Sequence, residues 1–286
     1  MKCTSPYHLK GIFPVPCGNC MACRISRTAE WSTRIEHEMK GKDSCFITLT
    51  YNKDYADEKS SLVKTDLVKF FKRLRKAIDT PIKYYACGEY GDIGNRPHYH
   101  AIIIGWKPDD VYGYLRTGKE ILRQSKLVEK LWKYGYSSVG TATPDSIQYV
   151  TGYVRKKING KKQFETYGYR EPPFALQSLG IGKEYALENI NHFFKGYITK
   201  NGKKIPIPRY YKKLLGENVI GYEEINKIIG EGYKLNELKE YIGQDNESLE
   251  EYLVNSDSYH TLKESDRMRR RSNAEALENR VKKGTL

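Results

Sequence analysis

Two histidines, one residue apart, open the apolar run His98-Tyr99-His100-Ala101-Ile102-Ile103-Ile104. Side chains along an extended strand alternate between its two faces, so both imidazoles point the same way. The preceding Arg96-Pro97 disfavours a helical start and favours a turn that leads into a β-strand. Two imidazoles that converge on one point can bind a divalent metal ion, whereas a pair of solvent-facing strand histidines is the simpler alternative.

A second informative segment lies further along the chain and contains Tyr149, Tyr153 and Lys156. Thr143-Pro144-Asp145-Ser146 predicts a helix start just before it, with a hydroxyl cap followed by proline at the first helical position. On such a helix the two tyrosines and the lysine occupy the stripe opposite the aliphatic one, which is formed by Ile147, Val150, Val154 and Ile158. A solvated tyrosine face would explain the tyrosines alone. Together with a two-histidine strand, they suggest a covalent nucleophile beside a metal ion.

Taken together, these segments resemble the rolling-circle replication initiators of the HUH endonuclease class, and most closely those of small single-stranded DNA bacteriophages, the microviruses. The segments that carry the resemblance are Pro16–Arg24, Phe46–Tyr51, Arg96–His100, Tyr149–Lys157, Gly180–Gly182 and Pro208–Leu214. In combination they are specific, although each alone is weak. Gly152 departs from the pattern, because some two-tyrosine relatives carry lysine there. Lys156 is then the better candidate to contact a phosphate.

The order of predicted elements indicates an α+β domain, in which helices back a central antiparallel sheet. Strands are predicted over 45–51, 82–89, 98–105 and 137–142, the last at a sheet edge, and helices over 64–78 and 119–134. The resemblance implies a ferredoxin-like sheet with the histidines on a central strand. We divide the chain into a Cys-rich N-terminal segment and helix (1–40), an HUH endonuclease domain (41–216) and a helical C-terminal region (217–286).

Glu89 is the predicted third metal ligand. If the strands on either side of the turn at 91–97 form a hairpin, Glu89 lies opposite His98 and Cys87 opposite His100, and directly opposed residues share a face. Two imidazoles and a carboxylate leave open coordination positions, and we expect Mn²⁺ or Mg²⁺ there. A surface carboxylate beside a turn is the alternative reading of Glu89.

Four cysteines suggest a separate structural zinc site. Cys17, Cys20 and Cys23 are spaced like metal ligands, and Cys3 can fold back to complete a set of four thiolates. Reduced cysteines in a tight loop are the alternative. Disulfides are not expected, because the protein is predicted to work in a reducing compartment.

The charge of the chain favours a polyanionic partner. Its 286 residues carry a formal net charge of +14, and because residues 217–252 hold ten acidic residues against three lysines, the remainder is more basic still. Lysine and arginine bind phosphates, and aromatic rings such as those of the 24 tyrosines stack on exposed bases. Basic proteins also bind membranes or ribosomes, so charge alone does not identify single-stranded DNA.

Location and partners follow from what the sequence lacks. It contains no apolar run of about 18 residues, so no membrane span is predicted, and its first residues lead into no apolar secretory core. For a phage protein this places the expected site of action in the host cytoplasm. It also contains no Walker-type glycine loop followed by Lys and Ser or Thr, so unwinding would need a host helicase. A host polymerase would extend the DNA.

The resemblance and the residues together predict a metal-dependent enzyme that nicks and rejoins one DNA strand at a replication origin through a 5′-phosphotyrosine intermediate. Tyr149 and Tyr153, one helical turn apart, are the predicted nucleophiles, and Lys156 would steady the phosphate. Two alternatives remain at this stage. One is a zinc-organised nucleic-acid-binding module without catalysis, and the other is a relaxase or transposase of the HUH class from another mobile element.

Overall fold

The computed structural model describes residues 3–7, 15–56, 60–91, 95–117, 120–156, 161–189, 192–193, 197–200 and 202–218. The chain divides into two compact units, Thr28–Tyr185 and a second unit formed by Met1–Arg27 with Ala186–Leu286. Apart from the end of one helix at Asn218, the predicted C-terminal region (217–286) lies outside the described residues.

An antiparallel seven-stranded sheet forms the centre of the unit Thr28–Tyr185. Its strands are β1 (Ser44–Tyr51), β2 (Lys83–Tyr90), β3 (Pro97–Ile104), β4 (Val111–Thr117), β5 (Glu120–Ser125), β6 (Gly135–Thr141) and β7 (Phe174–Gln177). They are arranged in the order β4-β5-β6-β1-β3-β2-β7. The two-histidine strand β3 lies between β1 and β2, which confirms the predicted interior position and the α+β class.

The helices are α1 (Met21–Met39), α2 (Lys53–Ala56), α3 (Lys64–Ala77), α4 (Lys126–Leu131), α5 (Pro144–Lys156), α6 (Lys161–Tyr167), α7 (Lys183–Glu188) and α8 (Arg209–Asn218). In the second unit, β8 (Tyr197–Lys200) and β9 (Lys203–Pro206) form a hairpin. Within the described residues, no helix is both long and apolar enough to cross a lipid bilayer.

Alternation along β3 divides its side chains between two apolar cores. Tyr99, Ala101 and Ile103 pack on one face, where α3 buries the predicted residues Leu67, Phe70, Phe71 and Leu74. On the other face, Ile102 packs with residues of α1 and α5, including Ile35, Ile147 and Val150. His98 and His100 alternate with Tyr99, so they share this second face with α5.

The predicted helix over 119–134 is wrong for its first half. Glu120–Ser125 is the strand β5, which pairs with the unpredicted strand β4. Ser125 ends this strand and begins α4, because its hydroxyl oxygen accepts a hydrogen bond from the Val128 amide. The carboxylate of Asp110 accepts further bonds from the Ser125 hydroxyl (2.6 Å) and the Leu127 amide (2.7 Å). These bonds fix the switch from strand to helix.

The strand predicted over 137–142 also differs from the structure. It is not an edge strand, because β6 lies between β5 and β1 and pairs with both. The unpredicted hairpin β4–β5 extends the sheet beyond β6.

Candidate metal and nucleophile site

The hairpin of β2 and β3 brings three potential metal ligands together. Its register sets Glu89 opposite His98 and Cys87 opposite His100, as predicted from the sequence. The Gly91 amide donates to the Arg96 carbonyl (3.0 Å) where the hairpin turns. Glu89, His98 and His100 therefore share one face, and the ligand atoms of these three side chains all lie within 4.8 Å of one another.

The spacing of the ligand atoms suits a single ion. Oε1 of Glu89 lies 2.9 Å from Nε2 of His98 and 3.0 Å from Nε2 of His100. Two donors at right angles, each about 2.1 Å from one ion, would be about 3 Å apart. Two imidazole nitrogens with one carboxylate form a donor set that could hold a divalent metal ion and leave other positions open.

The outer nitrogens of both imidazoles are also engaged. Nδ1 of His98 lies 3.0 Å from the Arg96 carbonyl oxygen, which can only accept, so Nδ1 carries the proton. Nε2 of a neutral His98 then directs a lone pair towards the carboxylate of Glu89. Two facing lone pairs repel unless a cation, either a proton or a metal ion, lies between them. The arrangement of His98 therefore favours a bound cation.

Thr48 holds the second imidazole and was not identified from the sequence. Its hydroxyl lies 3.0 Å from Nδ1 of His100, and the two residues are cross-strand partners between β1 and β3. Outer-shell bonds of this kind fix the ring orientation and tautomer of metal-binding histidines. The strand Phe46–Tyr51 was recognised in the sequence, but the pairing of Thr48 with His100 depends on the β1–β3 register, which no local pattern gives.

The protonation states suit metal binding. Burial opposes the charged form of Glu89, but hydrogen bonds from His100 and His98 outweigh it and hold the pKa of Glu89 below its ordinary value. Burial lowers the pKa of His100, although its bond to Glu89 acts in the opposite direction. A charged carboxylate and a neutral imidazole are the forms that bind a metal ion.

The hydroxyl of Tyr149 lies next to the three ligands. It is 3.4 Å from Oε1 of Glu89 and 3.4 Å from Nε2 of His100. The Tyr149 ring meets the His100 ring edge-on, and 47% of this tyrosine is exposed. Burial raises the pKa of Tyr149 to about 12, with a further increase from the charge of Glu89, while a hydrogen bond with Tyr153 lowers it. Without a nearby cation, this phenol would therefore be protonated at neutral pH.

Tyr153 does not lie on an exposed stripe as the sequence suggested. It is buried, with its ring parallel to that of His100 at 5.8 Å and edge-on to that of Tyr149 at 4.9 Å. Burial raises the pKa of its hydroxyl. The reason is that α5 packs against the histidine face of the sheet, so the stripe read as solvent-facing is partly covered by that face. Lys156 ends α5, but its side chain lies outside the described residues.

Helix α5 begins where predicted, and specific bonds hold it in place. The Thr143 amide donates to the Ser146 hydroxyl (2.7 Å), and the Ser146 amide donates to the Thr143 hydroxyl (3.2 Å). This reciprocal pair caps the helix. In its middle, the buried hydroxyl of Thr151 pairs with that of Ser32 on α1 at 3.0 Å. These contacts fix the position of α5, and with it Tyr149.

The four predicted cysteines also come together, in the other unit. The sulfurs of Cys3, Cys17, Cys20 and Cys23 lie within 4.8 Å of one another, and all four thiols are free. The Cys3–Cys20 sulfur distance is 3.8 Å, close to the ~3.8 Å expected for two thiolates bound tetrahedrally at about 2.3 Å from zinc. The amides of Cys17 and Cys20 donate to the sulfurs of Cys3 and Cys17. Burial opposes thiolate formation at Cys20, but bonds with Thr4 lower its pKa to about 6. The cluster could therefore hold zinc.

Comparison with known proteins identifies the class to which this fold and site belong. A family model described as a replication-associated protein of the ORF2 type matches residues 44–158. This range runs from the first strand of the sheet to just beyond α5, so it contains Glu89, both site histidines and both tyrosines.

Individual relatives give the particular group. Replication-associated protein VP4 of Bdellovibrio phage phiMH2K is 32% identical over 221 residues, which cover 72% of this chain and 69% of that protein. Replication-associated protein ORF2 of Spiroplasma virus 4 is 31% identical over 215 residues, 70% of this chain and 67% of that protein. Replication-associated protein ORF4 of Chlamydia phage 1 is 32% identical, and the match covers 54% of its length. This chain belongs to the family of microvirus-type phage replication-associated proteins. No solved structure gives a significant match.

Proposed function

We propose that this protein initiates rolling-circle replication by nicking one DNA strand at the replication origin and rejoining it later. The observation that carries the proposal is the Tyr149 hydroxyl, 3.4 Å from both Glu89 and His100. A nucleophile at that distance from a metal-binding set suits phosphoryl transfer. The relatives, which are replication-associated proteins of phages, support the coarser role in phage DNA replication.

Glu89, His98 and His100 would hold the catalytic ion, for which we propose Mn²⁺ or Mg²⁺. When bound, such an ion supplies positive charge next to a phosphodiester and next to the phenol. The fit rests on the donor set: one carboxylate oxygen faces two Nε2 atoms at 2.9 and 3.0 Å. Thr48 and the Arg96 carbonyl hold the outer nitrogens, so the imidazoles are oriented before DNA binds.

In the proposed reaction, the Tyr149 oxygen attacks the phosphorus of one DNA phosphodiester. The bond from phosphorus to the 3′-oxygen breaks, the phenol proton passes to solvent, and the 3′-oxygen takes up a proton to become a free hydroxyl. The 5′-phosphate is then joined to Tyr149. One phosphoester bond replaces another, so the step is reversible, and the 3′-hydroxyl can prime synthesis by a host polymerase.

We assign the first transfer to Tyr149, because its ring is half exposed while Tyr153 is only 7% exposed. Tyr153 lies one helical turn further along α5, within reach of the same site. It would act in the second transfer, when the origin is regenerated and the displaced strand is closed. In the first step its ring supports His100 and Tyr149 by direct contact.

The remaining assignments belong to the same proposal. Lys156 would contact the phosphate of the DNA. Cys3, Cys17, Cys20 and Cys23 would bind a structural Zn²⁺ that holds the N-terminal segment to the start of α1. The partners would be single-stranded DNA, the origin and a host helicase, and the protein would act in the host cytoplasm.

A covalent adduct assay tests the proposal. The full chain is incubated with single-stranded oligonucleotides that tile the source genome, with Mn²⁺ or with a chelator, and the products are separated under denaturing conditions. We expect one oligonucleotide to give a protein–DNA band that requires metal. Tyr149→Phe should abolish it, because the ring remains while the attacking oxygen is lost.

Tyr114→Phe is the matched control. Tyr114 is 79% exposed on β4, four strands away from β3, and should form the adduct normally. DNA binding without any metal-dependent adduct would refute the enzymatic proposal and favour the non-catalytic binding module. Cleavage only of mobilisation-type sites or mobile-element hairpins would favour a relaxase or transposase.

A further inference from the structure

Tyr136 occupies the same cross-strand row as the metal-binding set. In the antiparallel pairing, Glu89 lies opposite His98, His98 lies opposite Thr50, and Thr50 lies opposite Tyr136. Directly opposed residues project from the same face of a sheet. Adjacent strands are about 4.8 Å apart, so the Cα atoms of Tyr136 and His98 are separated by roughly 10 Å.

The sheet between Tyr136 and the histidines has only small side chains. Thr50 separates them in the first row, and Ser138 and Thr48 continue the next row towards His100. Gly140, opposite Phe46, follows in β6. Helix α5 contacts β2 and β3, and the small residues of β1 and β6 beside it are partly exposed. This part of the face is a shallow floor that ends at the Tyr136 ring.

The Tyr136 ring is available for a partner. It is 63% exposed, and no aromatic contact or hydrogen bond of its side chain is found among the described residues. Other exposed aromatics differ in this respect: the Tyr112 hydroxyl donates to Glu129, and the Tyr169 ring contacts that of Phe164. Tyr136 is therefore a large exposed ring on the same face as the site.

We infer that Tyr136 is a base-stacking residue that holds single-stranded DNA across the sheet. This inference rests on the proposed function and extends it. With the scissile phosphate at Glu89, His98 and His100, the strand would run over Thr50. A base next to that phosphate, or the following base, would then stack on the Tyr136 ring. Aromatic rings suit this role because every base has a π-face, whereas phosphates are held by positive charge.

Charge and shape favour single-stranded DNA over a protein partner. The chain carries a net charge of +14, and Lys133 lies at the exposed turn just before β6. A duplex would bury its bases within the stack and leave Tyr136 no face to contact. The ring lies in line with the nucleophile site, so the same strand can reach both.

Fluorescence of 2-aminopurine tests the inference, because stacking on an aromatic ring quenches this base. The adduct-forming oligonucleotide is prepared with 2-aminopurine at each position around the nick, and its binding to full-length Tyr149→Phe is followed so that no cleavage occurs. We expect strong quenching at one or two adjacent positions and recovery of fluorescence there in Tyr136→Ala/Tyr149→Phe. Affinity should fall about 5- to 100-fold, the range for one lost base stack. Tyr136→Trp should restore both, which a purely structural role would not predict.

Tyr114→Ala in the same background is the matched control, since it removes another exposed ring far from the site. Melting temperatures should be unchanged in both variants, because neither ring is buried. If Tyr136→Ala alters neither affinity nor quenching while wild type forms the adduct, the inference is wrong and the proposed function stands. If wild type forms no adduct, quenching is read on oligo(dT) carrying a single 2-aminopurine. Loss of the quench in Tyr136→Ala then supports stacking, and an unchanged signal overturns it.

Discussion

Replacing Thr48 with valine isolates the contribution of one hydrogen bond to metal binding. The Thr48 hydroxyl lies 3.0 Å from Nδ1 of His100, whose Nε2 faces Glu89. Valine keeps the β-branched shape that suits a strand and removes only the hydrogen-bonding group. His100 would then keep its place in β3 but lose the partner that fixes its ring and tautomer.

The expected loss is about 10- to 100-fold in Mn²⁺ affinity, the range for removing an outer-shell partner of a metal-binding histidine. At about 1.4 kcal/mol per tenfold, this equals roughly 1.4 to 2.8 kcal/mol of binding free energy. Calorimetric titration of Mn²⁺ into the protein at fixed pH measures it, and the initial rate of adduct formation at limiting Mn²⁺ should fall in parallel.

Thr50→Val is the matched control for this variant. Thr50 lies on the same strand and face, opposite His98, but Nδ1 of His98 is held by the Arg96 carbonyl instead. Its replacement should leave Mn²⁺ affinity close to that of wild type. Unchanged affinity in Thr48→Val, or an equal loss in both variants, would show that the bond to His100 does not organise the site.

Three further predictions concern other groups. Tyr153→Phe should still form the first adduct but fail to complete the second transfer, as measured by release of closed circles from an origin-containing substrate. Because burial lowers the pKa of His100 from its ordinary value of 6.5, the unfolded state binds more protons than the folded state below that pH. The metal-free protein should therefore lose stability as the pH falls through 6.5, and urea unfolding at pH 7.5 and 5.5 should show a smaller difference in His100→Gln. Cys20→Ser should lower the zinc content measured by elemental analysis, whereas Cys45→Ser, at a buried cysteine outside the cluster, should not.

The sequence was sufficient for the local parts of the site. Alternation around His98 and His100, with a turn before them, gave the hairpin register and therefore Glu89. The Thr143–Ser146 cap gave the start of α5. These predictions succeeded because they depend on neighbouring residues, for which period and turn chemistry are strong guides.

The errors came from contacts between segments distant in the chain. Tyr153 was expected on an exposed stripe, but helical period does not say which face of the sheet covers a helix. The strand β5 was read as helix, because a helical pattern that continues into α4 gives no sign of its pairing with β4. The roles of Thr48 and Tyr136 likewise depend on strand order, which brings β1 and β6 beside β3.

Mass spectrometry of the protein–DNA adduct tests the central claim most directly. The wild-type adduct formed with Mn²⁺ is digested with nuclease and protease, and the modified peptide is sequenced. The account predicts a nucleotide attached through its 5′-phosphate to Tyr149, in a yield that collapses with chelator or in His98→Ala. Attachment to a tyrosine outside α5, or equal yield without the metal-binding residues, would contradict it.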